Sequence, residues 1–113
     1  MRVHGLGGAL LLFAASVMSH VAWADDPVRI EVTIQNHQFS PAEIHVPSGK
    51  RAELHVVNGD NTAEEFDSSA LKVEKVIAPG MAATIYLRPL APGHFPFMGE
   101  FHADTAKGVV ISE

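Results

Sequence analysis

The sequence predicts an all-β Greek-key β-sandwich, and three observations carry that expectation. Apolar and polar residues alternate with period two through most of residues 28–112. Gly and Pro turn signals break the alternation at sandwich-like spacing. Past residue 24, no segment sustains helical periodicity beyond one or two turns.

The first 24 residues stand apart from this pattern. Arg2 opens a short positive region, and Leu6 to Val17 form an apolar run of signal-peptide length. Ala22-Trp23-Ala24 offers a small-x-small cleavage site ahead of Asp25, Asp26 and Pro27. The run is short for a membrane span, which takes about 20 residues. We therefore expect a signal peptide over residues 1–24, one domain over 25–113, and no stable membrane insertion after cleavage.

The elements then follow in order. Val28, Ile30, Val32 and Ile34 alternate with Arg29, Glu31, Thr33 and Gln35. Ile44 and Val46 flank His45, and Pro47-Ser48-Gly49 is a turn. Ala52, Leu54 and Val56 alternate with Glu53, His55 and Val57, and Asn58-Gly59-Asp60-Asn61 breaks the chain. Residues 73–77 form a candidate strand stopped by Pro79-Gly80, and residues 83–87 another stopped by Pro89 and Pro92-Gly93. Residues 95–98 and 107–112 complete a set of about seven strands, as small sandwiches have. Residues 68–72 and 103–106 each suit a single helical turn.

Composition narrows the chemistry. Removing the signal peptide takes only Arg2 from the charged residues, so the formal charge moves from −5 to −6. An acidic surface argues against nucleic acid and suits cations or a basic partner. The chain has no cysteine. That excludes disulfides, catalytic thiols, iron–sulfur clusters and thiolate–metal bonds. No serine-nucleophile motif, phosphate loop or paired-His helix is present, which leaves a hydrolase reading without support.

Two segments concentrate donor groups. Met98-Gly99-Glu100-Phe101-His102 places a thioether, a carboxylate and an imidazole within five residues, and Glu64-Glu65-Phe66-Asp67 is an acidic knot. Sandwich loops cluster at one end, so these segments are expected to meet there in a mononuclear metal site. Imidazole and carboxylate donors suit Fe(II), Cu(II), Mn(II) or Zn(II), and a thioether draws the preference toward copper. Each residue also has an ordinary role: surface glutamates are mostly solvated, and a lone Met more often fills a core. The combination in one window carries the metal reading. Counting from Phe66, period two points Glu64 inward. If strand geometry persists to residue 102, then Met98, Glu100 and His102 share a face. His45 and His55 sit on the polar phase of their strands, and His94 follows a turn. His37 lies in a bend and approaches the site only if that loop folds over it.

The mature chain resembles the cupredoxin family. The residues that carry this are Phe39-Ser40-Pro41-Ala42-Glu43-Ile44-His45-Val46-Pro47-Ser48-Gly49, the Pro79-Gly80 turn, and Leu90-Ala91-Pro92-Gly93-His94-Phe95-Pro96-Phe97. Glu64-Glu65-Phe66-Asp67-Ser68, Glu74-Lys75-Val76-Ile77-Ala78-Pro79-Gly80 and Gly99-Glu100-Phe101-His102 resemble a branch associated with bacterial iron permease systems. That resemblance implies a periplasmic protein of ferrous iron uptake, in Fe(II) oxidation or electron relay before ferric import. It implies as partners a periplasmic iron-binding protein and a membrane iron permease. The alternative function is a periplasmic copper-binding chaperone or sensor without redox turnover.

The departures from the family matter as much. Electron-transfer cupredoxins hold copper with two His, one Cys and an axial Met. The first His falls where this chain has Ala63-Glu64-Glu65-Phe66, and the Cys where it has Gly99. His102 matches the second His, and the axial Met falls near Ala106 or Lys107. A blue copper centre needs the thiolate and is excluded. The expected cofactor is a single copper or iron ion, held by Glu65, Met98, Glu100 and His102 with Glu64 in reserve. Comparison with the iron-uptake branch favours Glu65 over Glu64. A mononuclear site passes electrons singly, so we expect docking at the loop end around Glu64, Glu65, Met98 and Phe101.

Overall fold

Alternation becomes two sheets because each strand offers one apolar side, and two such sides bury each other. The computed structural model describes residues 26–113, so the expected signal peptide and its cleavage site lie outside the described residues. Nine strands occur among the described residues: β1 (Val28–Gln35), β2 (Gln38–Ser40), β3 (Glu43–Val46), β4 (Ala52–Asn58), β5 (Glu64–Ser68), β6 (Val73–Ile77), β7 (Ala82–Leu87), β8 (Gly93–Gly99) and β9 (Lys107–Ser112). One sheet runs β2-β1-β4-β7 and the other β3-β9-β8-β5-β6. β1 pairs with β4, and β3 with β9, in parallel; the remaining pairs are antiparallel.

Two strands exceed the sequence expectation, and both matter for the site. β2 pairs back on β1 across the two-residue turn Asn36-His37, with Gln35 opposite Gln38. Both turn residues have positive φ, 54° and 58°, as the hairpin turn whose twist suits paired strands requires. β5 takes the acidic knot into the sheet. Its alternation is strict: Glu64, Phe66 and Ser68 are buried while Glu65 and Asp67 face outward. The buried Phe66 fixes that register, since a one-residue slip would expose it.

The core joins both sheets through Val32, Ile34, Ile44, Leu54, Val56, Phe66, Ile77, Phe97 and Val110, all nearly inaccessible. Phe66 and Phe97 stack with centroids 4.7 Å apart, and Phe39 meets Phe97 edge-on at 4.9 Å. Burying each such ring stabilises the fold by about 1.5–3 kcal/mol.

The end carrying the site is pinned by Asn58, which is fully buried. Its Nδ2 donates to the carbonyls of Thr62 (2.9 Å) and Ile77 (3.0 Å), and its Oδ1 accepts the Asp60 N–H at 3.0 Å. Gly59 N–H donates to Ile34 O at 2.8 Å, which lays the β4–β5 loop beside the end of β1. The loop after β8 closes through Gly99 N–H on Ala106 O, also at 2.8 Å. The β8–β9 loop in turn joins the β1–β2 turn through Thr105 Oγ1, which donates to His37 O, so the three segments meet at one end.

Candidate metal centre

The centre is built on Glu64. Position 64 begins β5 on the core side, and its side chain is 1% exposed. A buried carboxylate needs donors to replace water, and three are supplied. Oε1 accepts the backbone N–H of Glu65 and of Phe101, each at 3.0 Å, and Oε2 lies 2.6 Å from His102 Nδ1. With the carboxylate accepting, Nδ1 donates, which in the neutral ring leaves the lone pair on Nε2. A carboxylate bound behind an imidazole fixes its tautomer and raises its basicity as a ligand.

His102 reaches Glu64 because the strand stops. β8 ends at Gly99, and Glu100–His102 form one 3-10 turn. That turn breaks the period-two continuation on which a shared face for Met98, Glu100 and His102 depended. Instead His102 swings to the core side while Met98 stays on the outer face, 40% exposed. Two of the expected donors therefore come together, Glu64 and His102. Glu65, Met98 and Glu100 lie apart from them, toward solvent. Met98 stands opposite Asp67 in the β5–β8 pair, and the Glu100 carboxyl hydrogen-bonds the Asp67 side chain. That bond first, and the neighbouring negative charges of Asp67, Glu65 and Glu74, hold the Glu100 carboxyl above its ordinary range.

The β1–β2 turn does fold over the site and brings His37 to it. His37 stacks on His102 with ring centroids 3.6 Å apart and planes 12° from parallel. Its turn is held from two sides. The Asp60 carboxylate accepts the N–H of Asn36 (2.7 Å) and of His37 (2.9 Å), and Thr105 Oγ1 donates to His37 O at 2.8 Å. The His37 N–H bond first, and then that of Asn36, hold the Asp60 carboxyl below its usual value. His37, Phe101, His102, Ala103, Asp104 and Thr105 line an open recess of about 350 Å³.

Gly99 explains the absence of a thiolate centre in steric terms. A Cβ at this position would lie 2.5 Å from Glu64 Cδ and 2.6 Å from Ala106 Cβ. A side chain at residue 99 would have to displace the Glu64 carboxylate, and with no cysteine in the chain a blue copper centre does not fit. Imidazole and carboxylate donors do fit a divalent first-row ion. Among the described residues, no group of three or more His, Cys, Asp or Glu side chains is already disposed to hold one.

Residues 8–112 match the profile of the cupredoxin-like domain family. The chain is 39% identical over 87 residues to the uncharacterized protein RP394 of Rickettsia prowazekii (strain Madrid E), covering 77% of this chain and 70% of that one. Among solved structures it is similar to auracyanin A, a "blue" copper protein of Chloroflexus aurantiacus (TM-score 0.66, 12% identity, 78% of this chain and 100% of that chain). It is also similar to the metal-binding domain of the Cu(I)-exporting P-type ATPase CopA of Streptococcus pneumoniae D39 (TM-score 0.65, 18% identity, 75% and 84%). A third is the purple cupredoxin of Nitrosopumilus maritimus (TM-score 0.58, 15% identity, 74% and 99%). At these identities the structures share the fold alone. The two packed sheets, the match over residues 8–112 and the Rickettsia relative together place this chain in the cupredoxin-like domain family.

Proposed function

We propose that this protein is a periplasmic metal-handling component of ferrous iron uptake, acting in Fe(II) oxidation or electron relay before ferric iron enters a permease. The observation that supports this best is the Glu64–His102 pair, a buried carboxylate bound behind an imidazole. Hard anionic oxygen favours the higher oxidation state of iron, and a bound copper or iron ion would supply one-electron exchange. In this reading His102 Nε2 is the donor to the ion. Glu64 holds the ring and adds negative charge behind it. The partners are a periplasmic iron-binding protein and a membrane iron permease, met through small transient contacts. The net negative charge favours a partner face rich in Lys and Arg.

A copper chaperone or sensor without turnover would draw on Met98 and His102 together. Those residues face opposite sides of the five-stranded sheet, which favours the iron reading. The test is anaerobic mixing of the mature protein with Fe(II), with and without one equivalent of Cu(II), followed by trapping of Fe(III). We expect Fe(III) to form only with copper present, to at most one equivalent, and to be lost in His102→Ala. Tight copper binding without any Fe(III) would instead establish the chaperone function.

A further inference from the structure

His37 occupies a backbone position that favours glycine. It is the second central residue of the β1–β2 turn, at φ 58°, where an L side chain is tolerated rather than preferred. The fold nevertheless fixes that position, through two N–H bonds to Asp60 and the Thr105 hydroxyl on its carbonyl. The result is an imidazole held flat against His102, half-buried beside the open recess.

The two rings are held unequally. His102 is fixed, because its Nδ1 is bound to the buried Glu64 at 2.6 Å. The hydrogen bond of the His37 ring is to Thr62 Oγ1 at 3.3 Å, near the long limit for such bonds. Stacked rings direct their in-plane lone pairs side by side, so they share an ion only after one ring turns. The loosely held ring is His37, and the recess gives it room.

We infer that His37 and His102 together form a binding site for a divalent first-row metal ion, with His102 as the fixed donor and His37 as the donor that swings onto the ion. The inference rests on the metal-handling function above and assigns its donors. Two neutral imidazoles are borderline ligands that suit Fe(II), Cu(II) or Zn(II) over Cu(I), which prefers sulfur. The recess leaves further coordination positions to water. Neither Met98 nor Glu65 takes part, since both lie toward the outer face of the sheet.

The test is a titration of the mature protein with Cu(II), followed by calorimetry and by electron paramagnetic resonance. His37→Asn removes the imidazole while keeping a residue that accepts positive φ. We expect one ion per chain, a two-nitrogen hyperfine pattern in the wild type and a one-nitrogen pattern in the variant. The variant should keep its thermal midpoint and bind at least about tenfold more weakly. A one-nitrogen wild-type spectrum, or wild-type affinity in His37→Asn, overturns the role of His37 while leaving metal handling through His102 intact. The wild-type spectrum decides this even if the variant does not fold. No binding of Cu(II), Fe(II) or Zn(II) by the wild type overturns both the donors and the function they serve.

Discussion

The Glu64 carboxylate fills the space that a side chain on Gly99 would need, with only 2.5 Å between Glu64 Cδ and a Cβ built on residue 99. Phe66 stands opposite Gly99 across β5 and β8, and Glu64 lies two residues along β5 on the same buried face. In this structure, then, a side chain at residue 99 and the buried Glu64 carboxylate compete for one space. A protein cannot carry a side chain at 99 and Glu64 in its present position together.

This relationship predicts a coupling. Gly99→Ala should destabilise the fold by about 1–3 kcal/mol through overpacking. Glu64→Ala should also destabilise, because Glu65 N–H and Phe101 N–H lose their acceptor. Each buried donor left unpaired costs about 1–3 kcal/mol. The double variant should cost clearly less than the sum, since removing the carboxylate makes room for the methyl group. Ala106 Cβ still crowds the site at 2.6 Å, so the relief is partial. Urea unfolding of the four proteins measures the cycle, and strict additivity would contradict the shared space.

Glu64→Gln should keep the shape and reverse a proton. The amide oxygen still accepts from Glu65 and Phe101, which leaves the amide NH₂ facing His102 Nδ1. A donor there forces Nδ1 to accept, so the proton moves to Nε2 and the lone pair leaves the open side. Nitrogen-15 shifts of the neutral His102 ring should report this tautomer change. Metal affinity should fall by roughly 10–100-fold, the usual effect of losing a partner behind a ligating imidazole. An unchanged tautomer would mean that Glu64 does not set the ring's proton.

Asp60→Ala should loosen the His37 turn without unfolding the sandwich. The variant loses two charge-assisted bonds to the N–H groups of Asn36 and His37. The carboxylate is close to solvent, so the cost in stability should be small. Faster amide exchange should be confined to the 36–37 turn and its neighbours, because Asn58 still anchors the β4–β5 loop on β6. Exchange that speeds up through β8 and β9 as well would show that Asp60 supports the sheet rather than the turn.

The fold was legible in the sequence because its information is local. Period two in residues 28–35 and 52–57, and the Pro79-Gly80 and Pro92-Gly93 turns, each mark one element without reference to another. The match of those elements to a two-sheet sandwich is seen in the strand orders. The site was less legible, because its key decisions are made at a distance. Period two from Phe66 points Glu64 inward, as observed, but resemblance to the iron-uptake branch drew attention to Glu65. The 3-10 turn at Glu100–His102 carries no Gly or Pro of its own, so nothing local stops the strand register before His102. For His37 the sequence makes approach to the site conditional on its loop folding over. Only the Asp60 and Thr105 bonds, 23 and 68 residues away in sequence, place it on His102. An Asn-His pair between two period-two runs was a readable signal for a tight hairpin, and hence for a side chain projecting from its tip.

His45 offers a test of the electrostatics far from the Glu64–His102 pair. It lies on β3, with Nδ1 2.7 Å from Glu113 Oε1 and Nε2 3.1 Å from Glu43 Oε1. The Glu113 bond first, and Glu43 after it, raise the imidazole above its ordinary 6.5, with partial desolvation opposing them. A group whose folded pKa is raised stabilises the folded state fully below its unfolded pKa, and the contribution is lost as pH rises through the folded value. This pair should therefore tie Glu113 and the end of β9 to β3 below about pH 6.5, the unperturbed histidine value, and release them at higher pH. The interaction is exposed, so added salt should weaken it. Proton resonance titration of the His45 ring should give a midpoint above 6.5. Glu113→Gln should bring that midpoint down without fully restoring the ordinary value, because Glu43 remains. A wild-type midpoint at or below 6.5, or one unmoved by Glu113→Gln, would show that the carboxylate does not hold the ring in solution.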